Sequence, residues 1–490
     1  MLNQEKMPLF HGLVQHAQRR PLQFHIPGHK TGLGMNKEFR DFIGYNALSI
    51  DLINIAPLDD LHHPHGLIKE AEELAAAAFG ADYTYFSVQG TSGAIMAMVM
   101  STCKPGDKVI VPRNVHKSML NAIIFAGALP IFVYPEMDQR LGIAHGVSTD
   151  SVRRAIQQHP DAKAVCVINP TYFGIAADLR SIVQLAHDAG MLVLVDEAHG
   201  AHLPFHEKLP VSAMEVGADM AATSLHKLGG SLTGSSVLHI REGRVRPEHV
   251  RAVLSMLTTT STSYILLASL DAARQQLALR GHELIGRTIT LAEEARQRIN
   301  EIPGLYCYGA DILGGPSTFD YDPTKLTIHV NGLGISGYDV EKWLREKHNI
   351  EVELSDLYNI LCFITMGDNE ESVHALVQAL QDLSATFFKE GLRQAQPVTL
   401  PHLPVLAMSP RDAFYAETEV VPFAEAVGRI IAEFVMVYPP GIPILMPGEV
   451  IEEENLAYIQ QNLEAGLPIQ GPEDNQIQSL KVIKEHEPIR

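Results

Sequence analysis

The sequence predicts an α/β fold: a large domain built on a mostly parallel sheet, followed by a smaller α/β domain. Three observations carry this. Short β-branched runs alternate with helix-length amphipathic stretches from about residue 70 to 240. Those runs are apolar on both faces, as strands covered by helices on both sides must be. At 490 residues the chain exceeds one ordinary core, which calls for two or three domains.

The candidate strands, in order, are "YTYFS" near residue 85, "KVIVPR" (108–113), "IFVYP" (131–135), "AVCVINP" (164–170), "MLVLVDE" (191–197), "MAATS" (220–224) and "SVLHI" (236–240). Between them lie helical patterns such as "DSVRRAIQQH" and "DLRSIVQLAHDAG", the second stopped by Gly190. A long helical pattern from Tyr264 to Ile302 leads into a region with strand candidates "KLTIHV" and "IEVEL" and helices "GYDVEKWLREKH" and "ESVHALVQALQDLSATFF". "EGLRQAQPVTLPHLP" reads as a polar connection, and "VYPPGIPILMPGE" belongs to a Pro/Gly-rich last unit. The expected division is an N-terminal segment (1–70), a large domain (71–285), a small α/β domain (286–390) and a C-terminal domain (403–490).

Composition narrows the function. A hydrophobic share of 46% and a charged share of 19% are those of a packed globular protein. A net charge of -19 argues against nucleic acid as a partner and suits a cationic ligand. Cys103, Cys166, Cys307 and Cys362 are widely spaced and read as buried free thiols of a reducing compartment. With no apolar run long enough for a membrane span and no signal-like start, a cytoplasmic protein is expected.

In a parallel α/β sheet, chemistry sits at the carboxyl ends of the strands. "VQGTSGAIMAM" places Gly90, Thr91, Ser92 and Gly93 at a helix start, where free N–H groups and hydroxyls suit a phosphate, although an N-cap without a ligand uses the same letters. His116 in "VPRNVHKSM" and Asn169 in "VINPTYFG" follow the next strands; alone, each reads equally as a structural residue. "LVLVDEAHGAH" puts Asp196 or Glu197 at a buried strand exit, where a carboxylate needs a partner. A helicase box is excluded by the missing phosphate-loop motif. A metal site using Asp196, His199, His202 and His206, with "HHPH" (62–65) nearby, lacks the H-E-x-x-H arrangement, so no metal is expected.

Lys227 in "TSLHKLGGSLTGSS" has no charged residue within six positions on either side. A lysine among small uncharged neighbours can be desolvated, which lowers its pKa and frees the amine. A phosphate cup, a flat ring, a buried acid and an isolated lysine together are what pyridoxal 5'-phosphate requires: Lys227 for the aldehyde, Asp196 for the ring nitrogen, His116 against the ring face and Asn169 on the phenolate oxygen.

In "HIPGHK", "QGTSGA", "PRNVHKS", "INPTYFG", "VDEAHGAH", "TSLHKLGGSLT" and "LTTTSTSY", the sequence resembles the fold-type-I, aspartate-aminotransferase-like enzymes, and within them the Orn/Lys/Arg decarboxylase family. The likeness runs over nearly the whole chain and includes "SPRDAFYA" and "YPPGIPILMPGE". It implies catalytic roles for Lys227, His116 and Asp196. It also implies cofactor contacts at Thr91, Ser92, His116, Asn169, Asp196, His199, Ser224, His226 and Lys227. Thr259 would reach the phosphate of a neighbouring subunit, because in this family the site is shared across a homodimer.

Only 24 residues precede "HIPGHK", so the N-terminal wing domain of larger bacterial members is not expected. The chain is similar to the family's short form, which implies decarboxylation of L-arginine to agmatine and carbon dioxide in polyamine and spermidine synthesis. Lysine and ornithine are the alternative substrates; an aminotransferase or carbon–sulfur lyase of the same fold would use the same Lys227 and Asp196. Candidates to hold a guanidinium in fork geometry are Asp356, Glu353, and Asp60 or its neighbour Asp59.

Overall fold

The computed structural model describes residues 2–389, 400–437, 442–464 and 466–484. The chain forms two compact units, residues 1–102 with 192–286, and residues 103–191 with 287–490.

In the first unit, four strands lie side by side in the order Tyr83–Ser87, Ser236–Ile240, Met220–Thr223 and Leu192–Asp196. Leu192–Asp196 and Met220–Thr223 run parallel; the other two pairings are antiparallel. Three of the four strands are buried at every position, which explains why their runs lack an alternating polar face. The helix Gly90–Thr102 is apolar nearly all round because it packs on both Ser236–Ile240 and the helix Pro247–Leu257. The helix Leu67–Phe79 has no cap from the residue before it; Asp59 takes that role, accepting the amides of His65 (3.0 Å), Gly66 (2.8 Å) and Ile68 (2.9 Å).

In the second unit, Lys108–Pro112 lies between Leu129–Val133 and Ala164–Ile168, parallel to both. The helices Thr149–Gln158 and Leu179–Asp188 begin on the side-chain caps Ser148 and Asp178. A four-stranded antiparallel sheet follows, in the order Tyr306–Cys307, Lys325–His329, Asn359–Phe363, Leu354–Ser355. The helices Gly337–His348 and Glu370–Phe387, each opened by a capping box, share a core with this sheet through Leu344, Leu376, Leu380 and Ile360. The last residues build their own core around Ile431, Val435, Ile444, Leu480 and Val482.

Most expected elements are present, and one strand is shorter than expected. The expected strand "IEVEL" is reduced to Leu354–Ser355. Asn349 turns the chain with φ 52°, and Arg345 of the preceding helix holds Glu351 at 2.8 Å, so the first part of the segment is tied to the helix and sheet bonding begins only at the Glu353 amide, which donates to the Leu361 carbonyl at 2.9 Å. The large-domain pattern ends in two antiparallel pairings, and the smaller sheet is wholly antiparallel. The 37-residue helix Tyr264–Asn300 contains the boundary between the two units. Residues 390–399 of the expected connection and 438–441 of the Pro/Gly run lie outside the described residues. All four cysteines are buried free thiols. Among the described residues no helix is long and apolar enough to cross a membrane.

Candidate active site

The strand Tyr83–Ser87 exits into Gly90, whose φ of +66° lets the chain turn directly into its helix. Thr91 is buried in the first turn, and its hydroxyl bonds Ser224 Oγ, next to the strand Met220–Thr223, and Ser236 Oγ at 2.8 Å. Ser236 in turn donates to the Thr223 carbonyl at 2.7 Å. Ser92 stays exposed on the same turn. The result is a hydroxyl cluster at a helix N-terminus, a setting that favours an anion. Ser236 was missed by sequence reasoning; its only signal is a serine heading a mostly apolar strand.

Lys227 sits in the single-turn helix Leu225–Leu228, half-buried, with its Nζ 2.8 Å from His199 Nε2. Between two nitrogens at this distance only one can donate along the bond, so the contact favours an unprotonated lone pair on one of them. A Cβ on Gly229 would stand 2.9 Å from the Leu225 carbonyl oxygen, and Gly230 has φ +85°, so both glycines are needed for the tight exit beyond the lysine. His226 is turned to the Ser235 carbonyl through Nδ1 at 2.9 Å.

Asp196 ends the strand Leu192–Asp196, is 4% exposed and accepts the Ala198 amide at 3.1 Å. Its neighbour Glu197 is also buried and takes a separate path, accepting the Ala213 amide at 2.6 Å and the Thr223 hydroxyl at 3.4 Å. Burial pushes the Glu197 carboxyl up to about 8. A Cβ on Gly200 would lie 2.4 Å from Glu197 Cγ, so a glycine there is part of how this acid is packed.

In the second unit, His116 is the N-cap of the helix Lys117–Ala126 and is exposed. Its Nδ1 accepts the Ser118 amide at 3.2 Å and lies 2.8 Å from Ser118 Oγ, which fixes the ring. Asn169 is fully buried just past the strand Ala164–Ile168; its Oδ1 accepts the Ala177 amide at 3.0 Å, while Nδ2 has no hydrogen-bond partner among the described residues.

Asp60 and Thr259 come together through His62, whose amide donates to Asp60 Oδ1 at 3.0 Å and whose ring lies 3.0 Å from the Thr259 carbonyl oxygen. Glu353 is exposed and accepts the Tyr172 hydroxyl. Asp356 is buried; its carboxyl accepts the amides of Tyr358 (2.7 Å) and Asn359 (2.8 Å), and burial raises its pKa to about 6. Of the histidines weighed as metal ligands, His199 meets Lys227, and His206 stacks on His282 at 4.6 Å beside Glu207.

A lysine turn and a buried acid at neighbouring strand exits, beside a hydroxyl-lined helix start, place the protein in the aspartate-aminotransferase-like fold class. A solved lysine decarboxylase from Francisella novicida superimposes with a TM-score of 0.85 at 24% identity, over 97% of this chain and 81% of that one. The ureidoglycine–glyoxylate aminotransferase of Bacillus subtilis matches with a TM-score of 0.53 at 17% identity, over 66% of this chain and 86% of that one.

Within that class, residues 7–372 match the Orn/Lys/Arg decarboxylase major domain and residues 393–471 match the C-terminal domain of the same family. The chain belongs to the Orn/Lys/Arg decarboxylase family, and it is a decarboxylase. It is 65% identical over 492 residues to an arginine decarboxylase of Halalkalibacterium halodurans, covering 100% of both chains.

Proposed function

We propose that this enzyme converts L-arginine to agmatine and carbon dioxide with pyridoxal 5'-phosphate as cofactor, in the cytoplasm, as a step toward polyamines such as spermidine. The observation that carries the substrate is the full-length likeness to a relative named arginine decarboxylase. Lysine and ornithine are the runner-up substrates, in keeping with the family's range.

The residues present fit the cofactor. Asn169 keeps a buried Nδ2 without a partner among the described residues, a donor of the kind a phenolate oxygen takes up. Thr91, Ser92, Ser224 and His226 flank a helix start suited to the phosphate. When bound, the cofactor supplies an electron sink for the pair left behind as the carboxylate departs. Asp196, an acid at a buried strand exit, would hold the ring nitrogen in its protonated form. His116, its ring fixed through Nδ1, would lie against the ring face. His199 lies 2.8 Å from the Lys227 amine, and Lys227 would bind the cofactor aldehyde.

For the substrate side chain, Glu353 is exposed and Asp60 half-buried, whereas the Asp356 carboxyl already holds the turn before Asn359–Phe363. If Asp356 nevertheless contacts the guanidinium, Asp356→Asn lowers arginine turnover; unchanged turnover removes it from the recognition set. The active form is a homodimer or higher homo-oligomer in which Thr259, exposed on one subunit, reaches the phosphate site of its neighbour.

The deciding experiment supplies arginine, lysine and ornithine separately and measures carbon dioxide and the amine formed. Agmatine from arginine is the expected product; cadaverine alone would replace the substrate and keep the chemistry, and a keto acid would point to transamination. Lys227→Ala should abolish turnover and the borohydride-reducible bond between cofactor and chain; a surviving bond would mean another lysine carries it.

A further inference from the structure

The loop that carries His116 is gripped by residues far away in sequence. Arg113 is the first residue beyond the strand Lys108–Pro112, three positions before His116. Its side chain is fully buried, and so is its partner, Glu449, at 1% exposure. Arg113 Nη1 donates to Glu449 Oε1 at 2.5 Å and Nη2 to Oε2 at 2.8 Å, a two-pronged pair. Nε donates to the Pro443 carbonyl at 2.8 Å and Nη2 to that of Ile444 at 3.3 Å. Glu449 Oε2 also accepts the Met446 amide at 2.8 Å, and the Phe132 ring lies 4.5 Å from the guanidinium.

The far end of the same corner is held as well. The helix Lys117–Ala126, which His116 caps, ends near Phe125, whose carbonyl accepts Arg411 Nη1 at 2.9 Å. Arg411, Pro443, Ile444 and Glu449 all fall within residues 393–471, which match the family's C-terminal domain. A buried ion pair is weak evidence for stability, since well-packed apolar residues of the same volume do as well. What a bidentate pair adds is direction: it fixes the first loop residue in position and in angle.

We propose that Arg113 and Glu449 are positioning residues for the reaction, and that the C-terminal domain acts on catalysis by setting the loop that presents His116. The proposal rests on the reading that His116 lies against the cofactor ring. Neither residue touches the reacting atoms; each acts through His116.

The test is a double-mutant cycle in the full-length holoenzyme, with Glu449→Gln, His116→Ala and the two combined. Four quantities are read: kcat, KM, the absorbance band of the bound cofactor, and cofactor affinity by titration of the cofactor-free protein. A misplacement of about 1 Å near a reacting centre can lower the rate about a hundredfold. Glu449→Gln, which keeps the shape but removes the negative charge facing Arg113, should lower kcat about tenfold with KM nearly unchanged and shift the cofactor band, at some cost in stability but with the folded circular dichroism spectrum retained.

In the His116→Ala background Glu449→Gln should add little further loss. Fully multiplicative losses, or an unchanged band and kcat in Glu449→Gln, would overturn the proposal. A silent His116→Ala would overturn the reading beneath it, a distinguishable result. Should Glu449→Gln fail to fold, Arg411→Ala puts the same question at the far anchor. There a lowered kcat with a shifted band supports the proposal, and an unchanged pair refutes it.

Discussion

Glu197→Gln should make the protein more stable, and increasingly so as the pH rises. Burial lifts the carboxyl from its ordinary 4.5 to about 8. The folded state therefore binds more protons than the unfolded state between those two values, and stability falls as pH rises from about 4.5 to about 8, then levels off. That interval spans about 3.5 pH units at about 1.4 kcal/mol each, so the carboxyl costs about 5 kcal/mol by pH 8 and about 3 kcal/mol at pH 7. Glutamine keeps a carbonyl oxygen for the Ala213 amide and an amide for the Thr223 hydroxyl, so the hydrogen bonds change by only about 1 kcal/mol. Urea unfolding of both proteins from pH 5 to 9 measures the difference, which should climb by about 1.4 kcal/mol per pH unit and flatten above pH 8. A difference that stays level across this range would refute the reasoning, because it would mean that Glu197 ionises alike in the folded and unfolded states.

Two further outcomes follow from buried polar groups. His239 is held neutral by burial, its pKa pushed down to about 3 from 6.5; folding stability is fully present above about pH 6.5 and declines as pH falls toward 3. His239→Asn, which retains a polar partner for the Thr84 hydroxyl, should flatten that acid-side decline in urea midpoints between pH 7.5 and 4.5, and equal slopes would disprove it. Asp59→Ala should cost about 2–4 kcal/mol, since buried amides at the start of the helix Leu67–Phe79 lose their acceptor. The adjacent Asp60→Ala should cost under about 1 kcal/mol, because Asp60 is more exposed and holds only local partners; comparable losses in the two melts would contradict this assignment.

The contrast between those two neighbours shows where a sequence stops being readable. "PLDD" offers two identical letters, and nothing local distinguishes the one that turns inward to the His65 amide, six positions downstream. Elements held by their own residues were legible: the helix Gly337–His348 is set by its apolar spacing and the Ser336–Asp339 cap, and the strand Leu192–Asp196 by uninterrupted burial. Lys227 was legible for the same local reason, its uncharged surroundings. Its contact with His199, 28 positions away, was not, because it depends on the parallel pairing of Leu192–Asp196 with Met220–Thr223. Arg113 and Glu449 carry the point furthest. Both stand in motifs of the sequence, "PRNVHKS" and "ILMPGE", yet 336 positions separate them, and neither motif contains a reason to want the other. A charged residue at a buried strand end does contain half of that reason, since an unpaired guanidinium there would cost several kcal/mol. A guanidinium buried there needs acceptors, which backbone carbonyls can supply as they do for Arg296, and only the fold decides that Arg113 finds a carboxylate and that it comes from the C-terminal domain.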